Sequence, residues 1–359
     1  MGGLGNYFLR RLLLMIPTFL GITVIFFFIL QIVPGGPLEQ EIMKLRGALA
    51  FGGVGAASTG ATVEAGTGVS GTGTRQVTIP EEALEEMKRF YGMDKPIHVR
   101  YALWLWNVLH LDLGRSYRYA EPVWDVIKER FPISIYFGLI GFILSYSVCI
   151  PLGVAKAVKH GSPFDVLSSV VVFIGYTIPG WAVGAVLLVL LGGGSFWSVF
   201  PLGEFRSENW QNLTMWGKIV DQLYHTVLPV ISYMVGSFAT LTVVMKNSLI
   251  DNLSQDYVRT AFAKGLREKR VIFVHALRNS LIPIATGIGH LIGLFFAGSY
   301  LIEKTFNIDG MGYLGFTSVL YRDYPVTLGF LVIGAVIRLL GNMLSDVAYA
   351  TIDPRIRFK

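Results

Sequence analysis

Residues 12–33 read LLLMIPTFLGITVIFFFILQIV, 22 positions without a charged side chain, and nothing else constrains the fold of this chain as tightly. At a rise of about 1.5 Å per residue, a helix of that length crosses the roughly 30 Å hydrocarbon layer of a bilayer. Inside that layer no water satisfies the backbone, so only helices and closed barrels span it. Further apolar stretches predict spans at about 133–158, 166–191, 225–245, 281–302 and 326–349. The expectation is an all-α membrane protein with six transmembrane helices. Composition agrees, because only 15% of the 359 residues are charged, against about 25% in soluble domains. A cleaved signal peptide is the rival reading of the first run, but its apolar core is usually about 7–15 residues long. Here Pro34-Gly35-Gly36-Pro37 follows the run instead of a small-residue cleavage site, which predicts a retained span. Cys149 is the single cysteine, so no internal disulfide can form.

Six spans place both termini on one side. Segments on that side carry net charges of +2 (1–11), +1 (156–165), +4 (246–280) and +2 (350–359). Segments on the other side each carry −1 (34–130, 193–222 and 305–323). Cytoplasmic loops hold the Lys/Arg excess, so the termini and the 246–283 segment are expected in the cytoplasm. The overall net charge of +6 is accounted for by this rule, and a nucleic-acid partner is not expected.

Four regions follow: 1–33, the N-terminus and first span; 34–130, a large periplasmic insertion; 131–349, the transmembrane core; and 350–359, a cytoplasmic tail. Within the insertion, about 47–79 is so rich in Gly, Ala, Ser and Thr that a flexible segment is expected. An acidic helix is predicted at 81–91. Tyr101, Trp104, Trp106, Tyr117, Tyr119 and Trp124 gather after it, as in an interfacial belt, a small folded cap or a partner-docking surface.

The longest polar interruption in the C-terminal half is 246–283, with seven Lys/Arg against three acids. Ser254 and Asp256 suit a helix start, and Tyr257, Ala261 and Lys264 are predicted on one face. Gly265 suits a helix stop, because glycine enters the left-handed conformation without strain. A second helical pattern runs from Lys269 toward Pro283. Two short helices with a glycine joint between spans predict a docking platform.

A histidine and an arginine fall near the middle of predicted spans, His290 in the fifth and Arg338 in the sixth. Such residues mark a substrate path, a buried pair or an interhelical hydrogen bond; both are candidates for a translocation path. Ser145-Tyr146-Ser147 and Ser237/Thr240/Thr242 could line a hydrated route. Small-residue pairs at Gly180/Gly184 and Gly289/Gly293 could permit close helix crossings. No GxxxxGK phosphate loop and no HExxH metal pair occurs, so neither catalytic nor metal residues are expected. An autonomous channel or secondary transporter is a rival class; a membrane enzyme would need a convergent catalytic set that is not visible.

The 246–283 segment resembles the EAA loop of bacterial ABC importer permeases, whose pattern is E-A-A-x3-G-x9-I-x-L-P. With the glycine on Gly265, Arg259-Thr260-Ala261 take the E-A-A positions, and His275, Leu277 and Arg278 take I, L and P. Arg259, Thr260, His275 and Arg278 depart from the general pattern. YVRTA-x-AKG-L and HALRN-x-L-x-P are, however, similar to the dipeptide/oligopeptide branch. Arg10-Arg11 with the following IPT, GMDKPIHVRY at 92–101, the D-L-G-x-S of 112–116 and Asp353-Pro354-Arg355 extend the likeness along the chain. The PGGP-L-E-Q junction and the Gly-rich insert resemble most the Yej-type branch, associated with peptides and the peptide antibiotic microcin C. The resemblance implies a type I ABC importer permease fold in the bacterial inner membrane. It also implies a heterodimer with a second permease, two ABC ATPase subunits that bind ATP and Mg, and a periplasmic peptide-binding protein. Arg259, Thr260, Ala261, Lys264, Gly265, His275, Leu277 and Arg278 are then the implied ATPase-coupling residues.

Overall fold

The computed structural model describes residues 2–36, 38–43, 81–90, 92–194, 196–286 and 298–352. Among them the chain is helical, with two isolated bridges and no extended strand. The principal helices are α1 (Gly2–Ile32), α2 (Glu81–Phe90), α3 (Ile97–Leu109), α4 (Val123–Val158), α5 (Pro163–Thr177), α6 (Gly180–Leu191) and α7 (Met215–Leu253). They continue with α8 (Asp256–Ala263), α9 (Tyr300–Thr305), α10 (Met311–Leu320) and α11 (Tyr324–Ile352). Stretches of α1, α4, α7 and α11 are long and apolar enough to cross a membrane, and α5 with α6 makes a fifth if the bent pair is one span. Half of the expected fifth span, 281–302, falls on 287–297, outside the described residues, as do His290, Gly289, Gly293, the Gly-rich insert and Asp353-Pro354-Arg355.

The third expected span is not straight. Its halves meet at 93° because Pro179 clashes with a helical residue before it. Ile178 accordingly sits in extended backbone (φ −93°, ψ 123°), and Pro179 becomes the first residue outside α6. The other long helices outrun their predicted boundaries: α4 has 36 residues and α7 has 39. At about 1.5 Å per residue both exceed the hydrocarbon thickness by more than three turns. Their caps are chemical. Thr214 accepts from the amide of Gly217 to start α7, and Ser162 accepts from the amide of Asp165 to start α5, with Pro163 in the first turn.

The described residues fall into two compact units. One comprises Met1–Phe19, Asp125–Thr317 and Val332–Lys359. Here α6 packs on α7 through Gly180 and Gly184, where an added Cβ would collide with Ser232. Gly153 of α4 similarly admits Met245 of α7, whose Cβ would lie 2.6 Å from an added methyl. The small-residue crossing expected at 180/184 is thus present. The other unit comprises Leu20–Trp124 and Ser318–Leu331. Its core gathers Phe27, Leu30, Tyr324 and Leu328, with Phe28, Ile97, Tyr101 and Trp104 against it. The predicted aromatic group therefore divides: Tyr101 and Trp104 are core, whereas Trp106 (62%) and Trp124 (53%) are exposed. The D-L-G-x-S segment is architectural. Asp112 accepts from the amide of Gly114, and Ser116 donates at 2.5 Å to the buried Asp323. Asp323 also accepts from the amides of Tyr117 and Arg118.

Candidate functional site

The 246–283 segment folds as two helical pieces against the ends of α4 and α7. The first is α8. Its N-cap is Gln255, without a side-chain cap; Ser254 instead closes α7 and donates to the carbonyl of Asp251. That corrects the expected start, and the cause is that α7 runs on to Leu253, leaving too short a linker for Ser254 to turn toward α8. Asp256 does occupy the first turn, at the favourable end of the dipole. At the other end Gly265 has φ +77°. The amide of Leu266 bonds to the Ala261 carbonyl and that of Gly265 to the Phe262 carbonyl, the paired closure of a Schellman cap. Leu266 and Ala261 meet in one apolar cluster, the contact that usually accompanies this cap.

The second piece is continuous from Glu268 to Ser280, with a π-helical turn at Val271–Ala276. A π turn adds a residue to the turn and rephases the side chains that follow. Ser280 and Ser248 bond reciprocally to each other's carbonyls, pinning this piece to α7.

Inside the platform, Val154, Ala157, Met245, Leu249, Val258, Ala261, Val271, Ala276 and Ile284 form one buried cluster. The buried face of α8 is therefore Val258–Ala261; of Tyr257, Ala261 and Lys264, expected on one face, Tyr257 and Lys264 are exposed. Ala261 is small because its own chain packs against it. Arg259, Thr260, Lys264, Gly265 and Arg278 face solvent, and His275 and Leu277 are half-buried. Phe262 (47%), Phe273 (56%) and Val274 (54%) lie exposed among the cations, a combination that sequence reading missed; for Phe273 and Val274 the π turn sets the phase. The outer face is thus basic with apolar anchors.

A second feature was invisible in sequence. Lys156 on α4 and Asp165 on α5 are buried, and Lys246 on α7 reaches both Asp165 carboxylate oxygens at 2.8 Å. Lys156 Nζ donates to the Asp165 carbonyl and to the hydroxyls of Ser168 and Ser169, and lies 3.2 Å from the carboxylate. All three ammonium protons have acceptors. The cluster locks three helices beside the platform. Lys246, counted in sequence as a platform charge, belongs to this lock.

Between α4 and α7 lies a cavity of about 610 Å³, lined by Ser145, Tyr146, Ser237 and Thr240 among others. Four residues of the two predicted polar clusters thus converge. Arg338 is exposed on α11 and is not in that lining. Beside the cavity, Glu303 on the short α9 is 1% exposed. Its carboxylate accepts from the amides of Tyr313 (2.6 Å) and Ser299 (3.3 Å) and from the Tyr233 hydroxyl (3.4 Å). Burial nevertheless pushes the Glu303 carboxyl up to about 7. Among the described residues no group of three or more His, Cys, Asp or Glu could hold a metal.

Residues 149–358, which include the whole platform, match the family described as binding-protein-dependent transport system inner membrane component. The chain is 41% identical over 364 residues to the peptidoglycan transport system permease protein YejB of Agrobacterium fabrum, covering 99% of each. It is 41% identical to the inner membrane ABC transporter permease protein YejB of Escherichia coli O157:H7, over 99% of this chain and 100% of that one. It is 33% identical to the oligopeptide transport system permease protein AppB of Bacillus subtilis, over 98% and 99%. With four to five membrane-length apolar helices among its described residues and relatives matched along nearly their full length, the chain belongs to the binding-protein-dependent transport system inner membrane components, the permease subunits of ABC transporters.

Proposed function

We propose that this chain is the permease subunit of an ATP-driven peptide importer, lining the translocation path together with a second, homologous permease. Its substrates are peptides, in keeping with relatives named for oligopeptide and peptidoglycan transport; microcin C-like peptide antibiotics belong to the same class. Two ATPase subunits, carrying ATP and Mg, dock on the platform from the cytoplasm, and a periplasmic binding protein delivers the peptide. Arg259, Thr260, Lys264, Gly265, His275, Leu277 and Arg278 lie at or near that docking face, with Phe262 and Phe273 as its apolar anchors. Ala261 serves from behind, holding α8 to the core. His290 and Arg338 are proposed for the path itself.

The observation that carries this reading is the shared core of the platform, α4 and α7. Closely packed side chains transmit displacement instead of absorbing it, so a push on α8 from an ATPase tilts both long helices. Alternating access needs such a connection, since the energy is released outside the membrane. The test is peptide-stimulated ATP hydrolysis by the purified complex. Gly265→Pro should abolish stimulation, because proline cannot hold φ +77°, while the complex stays assembled. Stimulation left unchanged in that variant, or peptide uptake by the isolated subunit without ATP, would overturn the reading. Phe262→Cys should crosslink to the ATPase, whereas Ala261→Cys should not.

A further inference from the structure

The unit formed by Leu20–Trp124 and Ser318–Leu331 contains a cavity of about 400 Å³, within the range of small-ligand sites. Three cations, Arg89, Lys95 and Arg100, line it. Arg100 is the informative one. It is half-buried, and its Nη2 donates at 2.7 Å to the amide oxygen of Gln31. Among the described residues no carboxylate lies within ion-pair distance of it. Desolvation pushes this guanidinium below its ordinary value, although the tyrosines Tyr117 and Tyr324 and the acid Asp94 oppose that shift. A guanidinium carries five N–H donors in a planar fork matched to carboxylate, and the neutral Gln31 oxygen satisfies only part of it. A cation withdrawn from water toward a neutral partner is incomplete, and the missing complement is an anion.

The remaining walls narrow the choice of anion. Phe27 and Trp104, with ring centroids 5.5 Å apart, supply an apolar side. Asp94 and Asp112 also line the cavity, and two carboxylates would repel a polyanion. A zwitterion with one carboxylate and an apolar body fits better.

We propose that this cavity binds the C-terminal carboxylate of a short peptide, with Arg100 as the principal contact and Lys95 and Arg89 as supporting charge. The proposal rests on the peptide-permease reading and gives it a substrate-recognition site within this subunit.

The test is equilibrium dialysis of radiolabelled tri-alanine and of its C-terminal amide against the full chain in nanodiscs. The free acid should bind at least about tenfold more tightly, since the amide loses a charge-assisted bidentate contact. Arg100→Gln should bind both equally; Arg100→Lys should keep part of the preference. If Arg100→Gln does not purify as a folded protein, Lys95→Gln should still weaken the acid several-fold and leave the amide unchanged. Equal affinity of the wild type for acid and amide would overturn the proposal. So would phospholipid that co-purifies with the wild type, is lost in Arg100→Gln and excludes tri-alanine, which would assign the cavity to a lipid headgroup. The underlying reading is tested separately by ATP-dependent uptake of tri-alanine by the whole transporter. Uptake without acid/amide discrimination defeats this site alone, and absence of any peptide uptake defeats the function.

Discussion

Lys156 in one unit and Arg100 in the other are both cations drawn away from water, and their partners differ in kind. Lys156 has two serine hydroxyls, a carbonyl and the Asp165 carboxylate, which Lys246 grips from a third helix. Arg100 has a neutral amide and a cavity. The first arrangement is closed and holds helices in one geometry; the second is open and holds a place for something else. A buried charge that is fully paired is costly to disturb, which suits the force-transmitting role proposed for the adjoining platform. One paired only with a neutral group is held ready for a ligand. Among the described residues Glu303 is paired with amides and hydroxyls and with no cation, and its burial raises the carboxyl to about 7.

The comparison breaks most visibly if the closed cluster is opened. Asp165→Ala leaves Lys156 buried without its counter-charge and should destabilise the protein by about 3–5 kcal/mol. Lys156→Met on top of it should recover much of the loss in thermal unfolding. Failure of the second change to help would mean that the cluster is not a pairwise lock.

Glu303 sharpens the contrast next. Its carboxyl is raised from an ordinary 4.5 to about 7, so between these values the folded protein holds a proton that the unfolded chain has released. Its contribution to stability is complete below about pH 4.5 and is lost as pH rises toward 7, by at most about 3 kcal/mol at 1.36 kcal/mol per unit. Glu303→Gln carries no titrating group, so the difference in melting temperature between pH 5 and pH 8 should shrink. An unchanged difference would remove Glu303 from this account.

Two alanines separate packing from docking on a smaller scale. Ala261→Leu overfills the shared core and should cost about 1–3 kcal/mol. Ala263→Leu, on the exposed side, should stay within about 0.5 kcal/mol and act instead on ATPase affinity, measured by co-purification. Equal losses would place both residues on the same face. Smallest of all is the exposed Asp256–Arg259 pair at 3.6 Å: Arg259→Ala should change stability by less than about 1 kcal/mol, so any larger effect on ATP hydrolysis reports contact with a partner.

Much of the architecture was legible in the chain because its signals are local. Apolar runs longer than 20 residues located the helices now seen as α1, α4, α7 and α11. Gly265 announced its left-handed turn, since no other residue adopts φ +77° without strain. The pair Gly180/Gly184 announced a close crossing. Boundaries were less legible: α7 absorbs Ser254, and nothing in the apolar pattern shows that a helix continues past the membrane. Pro179 was visible beside the third span, but the sequence left open whether it bends that span. Proline lies inside α4 and α7 without breaking either, so a proline in the sequence does not by itself tell whether its span bends.

Residue order alone determined that this chain spans a membrane, carries a basic two-helix platform and resembles peptide permeases, because periodicity, charge bias and motif spacing are properties of consecutive residues. Tertiary structure decided which platform residues are available. Ala261 turned inward and Phe262 outward, and Lys246 left the platform to join Asp165, 81 residues away in the chain. It also set Arg100 beside Gln31, 69 residues away, rather than beside an acid. These are long-range pairings, and a pairing between distant segments has no signature in the order of residues; it exists only once helices have packed and chosen which charges they bury.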